Sequence, residues 1–187
     1  MRLFAAAHPP PDALAALTAA VGALRTLPGA DRLRWTGEPG WHFTLAFYGE
    51  VPDELVPELR ERLGRAAHRS RPHTLRLAGG GRFAHRVLWV GADGEVEVMS
   101  HLADSATAAG RRIGLDMEQR SYTPHLTIAR SRVPHTDLAG FAAALADFET
   151  AAWTEGELHL VRSRLPGGGV RGAQPRYETV GSWPLGG

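Results

Sequence analysis

The sequence predicts a mixed α+β fold whose two halves resemble each other and face one another across a cleft. Short β-prone runs and amphipathic helical runs alternate along the 187 residues in a coarse twofold order. Each half also contains one His-x-Thr segment within a strand pattern, at residues 42–44 in the first half and 125–127 in the second. A duplicated half would carry its motif at an equivalent position, so we expect the two segments to lie symmetrically about the cleft.

The elements up to residue 90 follow from apolar spacing and from charged residues near helix ends. Leu17, Val21 and Leu24 recur at helical spacing and predict a helix over 11–24. A second, clearer helix covers 52–68, with Asp53 near its start and Arg65 toward its end, as the helix dipole favours. We predict strands over residues 3–7, 32–36, 41–48, 73–77 and 86–90, and we interpret the glycine run 79–81 as the turn joining the last two.

The remaining sequence predicts two more helices and three more strands. The helices cover 96–113 and about 137–148, and the strands cover the second motif, 158–164 and 176–180. We interpret the glycine-rich segment 166–172 as the tip of a hairpin, with a loop that contacts a phosphate as the alternative. No Ser- or Pro-rich linker separates the halves, so we treat residues 1–187 as one domain of two lobes with one motif each.

Strand alternation places the two polar side chains of each motif on one face. In the first motif His42 and Thr44 share a face, while Phe43, Leu45 and Phe47 are expected to point into a core. The second motif follows the same rule, with His125 and Thr127 on one face and Leu126 and Ile128 on the other. Each strand therefore presents an imidazole beside a hydroxyl, backed by hydrophobic packing.

Composition excludes several classes of enzyme. Cysteine is absent, which removes disulfides, thiolate nucleophiles and cysteine zinc sites. Lysine is absent too, since all 21 basic residues are Arg, so neither a lysyl-nucleotide ligase nor a P-loop or Schiff-base enzyme fits. The start of the chain is too short an apolar run for a signal peptide, and no apolar run is long enough to span a membrane, so we expect a cytoplasmic protein.

The other ionisable residues have simpler interpretations. The net charge of +1 does not make the whole surface a nucleic-acid binder. An arginine run between residues 60 and 76 is interpreted mainly as a solvated helix face, with contact to an RNA backbone as the alternative. Seven histidines lack metal-ligand spacing and are interpreted as surface or capping residues, so we expect no metal site: His8, His68, His73, His85, His101, His135 and His159.

Two imidazoles and two hydroxyls suit an in-line displacement at phosphorus. One histidine takes a proton from water while the other gives a proton to the leaving oxygen, and the threonine hydroxyls bond the nonbridging oxygens. The unperturbed pKa of histidine near 6.5 allows one side chain type to fill both roles. The symmetry of the motifs leaves open which histidine is the acid and which is the base.

Around these motifs the chain resembles the 2H phosphoesterases, and within them the RNA 2′,3′-cyclic phosphodiesterases, long described as 2′-5′ RNA ligases. Nearly the whole chain takes part in the likeness, although Tyr48 and Ala129 stand where aliphatic residues are common in that family. The matching features are residues 2–6, Trp35, residues 41–51, residues 124–130, residues 160–165 and residues 176–178.

The resemblance implies a bilobal, pseudo-twofold duplicated α+β fold, with two antiparallel sheets flanking a central cleft and helices outside. It implies hydrolysis of a terminal 2′,3′-cyclic phosphate on RNA or a nucleoside to a 2′-phosphomonoester, without metal or other cofactor. We also expect the protein to be a monomer. By the same resemblance His42 is the acid and His125 the base, while Thr44 and Thr127 bind the phosphate. Arg130 would also meet the phosphate, provided that a bend in its strand turns it away from the buried face.

Two alternatives stay open at this stage. The same residues would serve 2′-5′ RNA ligation, which reverses the opening of the cyclic phosphate with a 5′-hydroxyl in place of water. A nucleotide-binding protein that keeps the fold without turnover is the other alternative, although intact His and Thr in both motifs argue against it.

Overall fold

A computed structural model describes residues 1–166 and 173–187 of the chain, and the predicted turn at 166–172 therefore lies outside the described residues except for Pro166. In chain order the strands are β1 (Arg2–Ala7), β2 (Leu33–Trp35), β3 (Phe43–Glu50), β4 (His73–Phe83), β5 (Val87–Gly94), β6 (His125–Ser131), β7 (Trp153–Glu155), β8 (Glu157–Arg164) and β9 (Arg176–Pro184). The α-helices of the described ranges are α1 (Pro11–Leu24), α2 (Val56–Arg69), α3 (Val96–Arg112) and α4 (Ala139–Ala144).

The described strands form two antiparallel sheets, and each sheet carries one motif. One sheet has the order β3-β1-β8-β9 and contains the first motif, and the other has the order β2-β6-β5-β4-β7 and contains the second. Helices α2 and α3 pack on each other and against strands of the sheets, and α4 packs on β4 and β5. The predicted bilobal α+β fold with two antiparallel sheets is thus confirmed.

The apolar faces of the motif strands hold the cleft residues in place. Phe43 and Leu126, which alternate with the motif side chains, are fully buried. Helix α3 packs against β3, and the buried hydroxyl of Tyr48 donates a hydrogen bond to the carbonyl oxygen of Ala106 at 3.0 Å. Burying one large apolar side chain contributes roughly 1.5–3 kcal/mol, so this packing fixes the motif strand against the helix layer.

The glycine run at 79–81 does not form the predicted turn. Strand β4 continues through it to Phe83, with a bulge between Ala78 and Gly80, and the hairpin turn follows Phe83. A Cβ atom on Gly81 would lie 2.3 Å from the indole of Trp89. Gly81 is therefore needed for the close approach of a side chain on the neighbouring strand, and this requirement depends on contacts between separate strands.

Other elements differ from the prediction at their ends. Helix α4 ends at Ala144, before the predicted end near 148, because the chain continues through tight turns up to Phe148. The three-residue strand β7 is not among the predicted elements, and β9 extends to Pro184. Within the described ranges no helix combines the length and the apolar character that crossing a membrane requires.

Candidate active site

Both motifs line one cavity of about 310 Å³ between the two sheets. Thr44 comes from strand β3 of the four-stranded sheet, and His42 is the residue before that strand. The five-stranded sheet contributes His125, Thr127 and Arg130. The structure thus brings together all five of the residues that the sequence singles out as a site. Strand β3 begins at Phe43, so His42 lies immediately before the strand and not within it.

A bulge follows the threonine in each motif strand and resets the alternation. Thr44 pairs with Ala6 and Ala46 pairs with Ala5, so Leu45 has no partner on β1. In the same way Thr127 pairs with Trp89 and Ala129 pairs with Leu88, so Ile128 has no partner on β5. A bulge of this kind re-aims the side chains that follow it.

The bulges decide where the third residue after each threonine points. Phe47 is 46% exposed and lines the cavity, so the prediction that it points into the core is wrong. Arg130, which strict alternation would have buried, is exposed and lines the same cavity. The two motifs are therefore alike in backbone, but at equivalent positions they present a phenylalanine on one side and an arginine on the other.

The backbone fixes the tautomer of His125. Its Nδ1 lies 2.7 Å from the carbonyl oxygen of Thr123, and because a carbonyl only accepts, Nδ1 donates and Nε2 is left as the accepting nitrogen. The ring packs edge-on against Phe83, with centroids 4.9 Å apart. Burial lowers the pKa of His125, the Thr123 carbonyl raises it in part, and the charges of Arg120 and Arg130 lower it further.

Aromatic rings surround His42. Its imidazole stacks on Phe4 with centroids 4.7 Å apart, and Tyr177 approaches at 5.1 Å with the rings nearly perpendicular. Burial lowers the pKa of His42 to about 4, and the neighbouring His8 also lowers it, whereas a hydrogen bond to the backbone of Pro39 raises it. Both cleft histidines therefore have a pKa below the ordinary value, which favours the neutral imidazole at neutral pH.

Among the described residues, every charged side chain that lines the cavity is an arginine. Arg2, Arg34 and Arg130 line it, and its described lining includes no Asp or Glu. Arg34 and Arg130 pair directly across β2 and β6, although like charges in this relationship destabilise a sheet. An uncompensated cluster of arginines at a cavity wall suits a bound anion such as a phosphate.

Two further histidines lie beside the site. His8 and His159 stack with centroids 4.6 Å apart, and the His8 ring is 6.2 Å from that of His42. His8 is exposed, as predicted for a surface residue, and His159 is half-buried. The two do not lie singly, because strand register brings His159 opposite Ala6, close to His8. His73 is not a surface residue, since it is 1% exposed. The spacing of these residues along the chain gives no signal of either placement.

Sequence reasoning does not identify Arg2, Arg34 or Tyr177 as site residues, although all three line the cavity. Arg2 and Tyr177 fall within the segments 2–6 and 176–178 that carry the family resemblance. The sequence marks Arg34 only by its position next to Trp35, which is one of the features of the family resemblance. Its place in the site comes from the pairing of β2 with β6, which joins parts of the chain that lie far apart in sequence.

Comparison with known proteins agrees with this fold and site. Residues 8–166 match the sequence profile of the 2′-5′ RNA ligase superfamily, and the chain belongs to that family, the 2H phosphoesterases. It is 32% identical over 163 residues to the RNA 2′,3′-cyclic phosphodiesterase of Aeropyrum pernix, covering 80% of this chain and 89% of that protein. It is 30% identical over 155 residues to the protein of the same name from Geobacillus stearothermophilus, covering 81% of this chain but 47% of that longer protein.

Solved structures show the same architecture. A crystal structure of a Thermus thermophilus protein superposes with a TM-score of 0.78 at 26% identity, covering 100% of this chain and 99% of that chain. The crystal structure of E. coli LigT complexed with 3′-AMP gives a TM-score of 0.77 at 25% identity, covering 98% of this chain and 97% of that chain. The fold class that the sequence predicts is thus shared with solved members of the family.

Proposed function

We propose that this protein hydrolyses 2′,3′-cyclic phosphate ends of RNA or nucleosides to 2′-phosphomonoesters, using His42 and His125 and no metal. The observation that carries the proposal is the single cavity that collects both His-x-Thr pairs and three arginines. The names of the two phosphodiesterase relatives support the substrate class. We further propose that residues 1–187 act as one domain of two lobes.

In the proposed reaction His125 acts as the base. Its accepting nitrogen, Nε2, takes a proton from water, and the water oxygen forms a bond to phosphorus in line with the bond that breaks. The bond between phosphorus and O3′ breaks on the opposite side. His42 gives its proton to the departing O3′, so a 3′-hydroxyl and a 2′-phosphate result.

The hydroxyls and arginines serve the phosphate itself. Thr44 and Thr127 donate hydrogen bonds to the nonbridging oxygens, whose negative charge grows in the transition state. Arg34 and Arg130 supply positive charge from the wall of the five-stranded sheet. Such preorganised donors act strongly where water is excluded.

The bound substrate also prepares the acid. Because burial lowers the pKa of His42 to about 4 in the free protein, its ring is mostly neutral at neutral pH. A phosphate anion beside the ring favours the protonated form and raises that pKa. The proton that the leaving oxygen requires is therefore taken up together with the substrate.

The proposal is tested by the product of one reaction. The full chain is incubated with adenosine 2′,3′-cyclic phosphate in excess EDTA, and the products are separated by chromatography. We expect 2′-AMP, with the rate lowered about 10²–10⁴-fold in His42→Ala and in His125→Ala. His101→Ala, which removes an exposed histidine on α3 outside the cavity, is the matched control and keeps the wild-type rate.

Several outcomes would contradict the proposal. Formation of 3′-AMP would reverse the geometry of attack, and activity lost in EDTA but restored by Mg²⁺ or Mn²⁺ would show a metal mechanism. Binding without any turnover would indicate a nucleotide-binding protein. Joining of a 5′-hydroxyl RNA to the cyclic phosphate in preference to hydrolysis would indicate a ligase.

A further inference from the structure

We infer that a second pair of arginines, Arg32 and Arg132, binds the phosphate that joins the terminal nucleotide to the rest of an RNA strand. The inference rests on the proposed function, since it extends that same site to the next phosphate of an RNA substrate. The cyclic phosphate then lies in the cavity with Arg34 and Arg130, and the next phosphate of the strand lies just outside it.

The two arginine pairs follow each other along one ladder of the five-stranded sheet. Arg34 is the Cα partner of Arg130 where β2 pairs with β6. Arg32 lies before β2 and Arg132 after β6, and the backbone N–H of Arg132 donates to the carbonyl oxygen of Arg32 at 2.9 Å. The antiparallel pairing therefore continues beyond the strand ends, and the second pair lies two residues from the first on each side.

Alternating exposure shows that the four side chains share a face. Leu33 is 2% exposed, whereas Arg32 and Arg34 on either side of it are exposed. On the other strand Ser131 is half-buried, while the arginines before and after it are exposed. Residues two apart in extended backbone point the same way, so the outer pair projects from the face that lines the cavity. Two residues rise about 6.6 Å, close to the separation of successive phosphates along an RNA strand.

This arginine ladder, residues 32, 34, 130 and 132, has no counter-charge among the described residues. None of its four members takes part in an ion pair with them, and neither does the adjacent Asp31. Opposed like charges destabilise a strand pair, and here two such pairs follow each other. An RNA backbone would place one phosphate at each pair and offset both repulsions.

The opposite rim of the cavity offers no equivalent surface. On the four-stranded sheet Arg2 is the Cα partner of Glu50, so a carboxylate faces the cation there. Arg164, which follows the cavity residue Ser163, forms an ion pair with Glu178 at 2.9 Å. The phosphates of a strand that leaves the cavity therefore favour the arginine ladder over this rim.

The experiment compares substrates that differ by one phosphate. The kcat/KM of the full chain is measured on adenosine 2′,3′-cyclic phosphate, on the same nucleoside with an added 5′-phosphate, and on the dinucleotide ApA that ends in a 2′,3′-cyclic phosphate. We expect values about 5- to 50-fold higher on the two substrates with the extra phosphate. This gain should shrink as NaCl is raised from about 50 to about 500 mM, because the contact is between exposed charges.

Variants of the outer pair assign the gain to these residues. In the double variant Arg32→Gln, Arg132→Gln we expect the extra phosphate to raise kcat/KM by less than about 2-fold at any salt concentration. The double variant Arg32→Lys, Arg132→Lys keeps both charges and should retain most of the gain. Arg112→Gln, which removes an exposed arginine of α3 outside the cavity, is the matched control and should retain all of it.

Several outcomes would overturn the inference. The first is an extra phosphate that brings no gain in the wild-type protein. The second is a gain that the double glutamine variant keeps, or that Arg112→Gln loses to the same extent. The third is a gain with the 5′-phosphorylated nucleoside but not with the dinucleotide, which would assign the outer pair to free mononucleotides and not to an RNA strand.

Failure of the proposed function is recognised separately, since the wild-type protein then hydrolyses none of the three substrates. Calorimetric binding of 2′-AMP and of adenosine 2′,5′-bisphosphate still decides the inference in that case. The wild-type protein must bind the bisphosphate at least about 5-fold more tightly, and the double glutamine variant must lose this difference. Equal affinities in the wild-type protein, or a difference that the variant keeps, would overturn the inference.

Discussion

Arg34 and Arg130 lie directly opposite each other in the β2–β6 pair, and both line the cavity that holds the two motifs. Neither takes part in an ion pair with another of the described residues. Opposed like charges destabilise a sheet, and a bound anion relieves their repulsion. We therefore expect the pair to cost some stability in the free protein and to favour the binding of an anion.

We predict that Arg130→Gln separates activity from stability. Hydrogen bonds to charged groups contribute about 1.5–3 kcal/mol, so kcat/KM on adenosine 2′,3′-cyclic phosphate should fall about 10- to 100-fold. The Tm should stay the same or rise, because the repulsion with Arg34 is removed. Arg112→Gln, an exposed arginine of α3 outside the cavity, is the control. An unchanged kcat/KM, or a fall that is matched by a lower Tm, would argue against the phosphate role.

The pH dependence of kcat/KM follows from the two lowered histidine pKa values. In the transition state the histidine pair holds one proton, on His42 and not on His125, so kcat/KM is bell-shaped and its limbs report the pKa values of the free enzyme. Burial lowers the pKa of His42 from 6.5 to about 4 and lowers that of His125 as well, so both limbs should lie below pH 6.5. A maximum of kcat/KM above pH 6.5 would be inconsistent with this assignment.

The kcat profile should lie at higher pH than the kcat/KM profile. The bound phosphate is an anion, and it stabilises the imidazolium form of both histidines, which raises their pKa values in the complex. Steady-state kinetics over a pH series at saturating and at low substrate concentration compares the two profiles. Coincident profiles would mean that the substrate charge does not act on the histidines.

Two glycines should respond oppositely to alanine substitution. A Cβ on Gly81 would lie 2.3 Å from the Trp89 ring, so Gly81→Ala should lower the free energy of unfolding by about 1–3 kcal/mol. Gly22 lies within α1 with nothing near its Cβ position, so Gly22→Ala should raise that free energy by about 0.5–1 kcal/mol. Urea unfolding measures both. Equal effects of the two substitutions would show that β4 does not pack against Trp89 in this way.

Local patterns predict much of the site. Alternation around Thr44 and Thr127 places imidazole and hydroxyl on one face, and both pairs do line one cavity. The same alternation fails beyond the threonines, since the bulges at Leu45 and Ile128 shift it by one residue. A bulge depends on the register between two strands, and the sequence of one strand does not contain that register.

Features that depend on pairing between strands are not predictable from the sequence either. The stacking of His8 on His159 comes from the pairing of β1 with β8, and the opposition of Arg34 and Arg130 comes from the pairing of β2 with β6. The glycine run in β4 looks like a turn because glycine is typical of turns. The role of Gly81 in this run, making room for a tryptophan on the neighbouring strand, is visible only once the strands are paired.

The roles of His42 and His125 are tested most directly by replacing the departing 3′ oxygen with sulfur. In a nucleoside 2′,3′-cyclic phosphorothiolate with sulfur as the 3′ bridging atom, the leaving thiolate does not need a proton, so the acid becomes dispensable. We predict that His42→Ala hydrolyses this substrate within about 10-fold of the wild-type rate, while His125→Ala stays about 10²–10⁴-fold slower. Rescue of His125→Ala in place of His42→Ala, or rescue of neither variant, would contradict the acid and base roles.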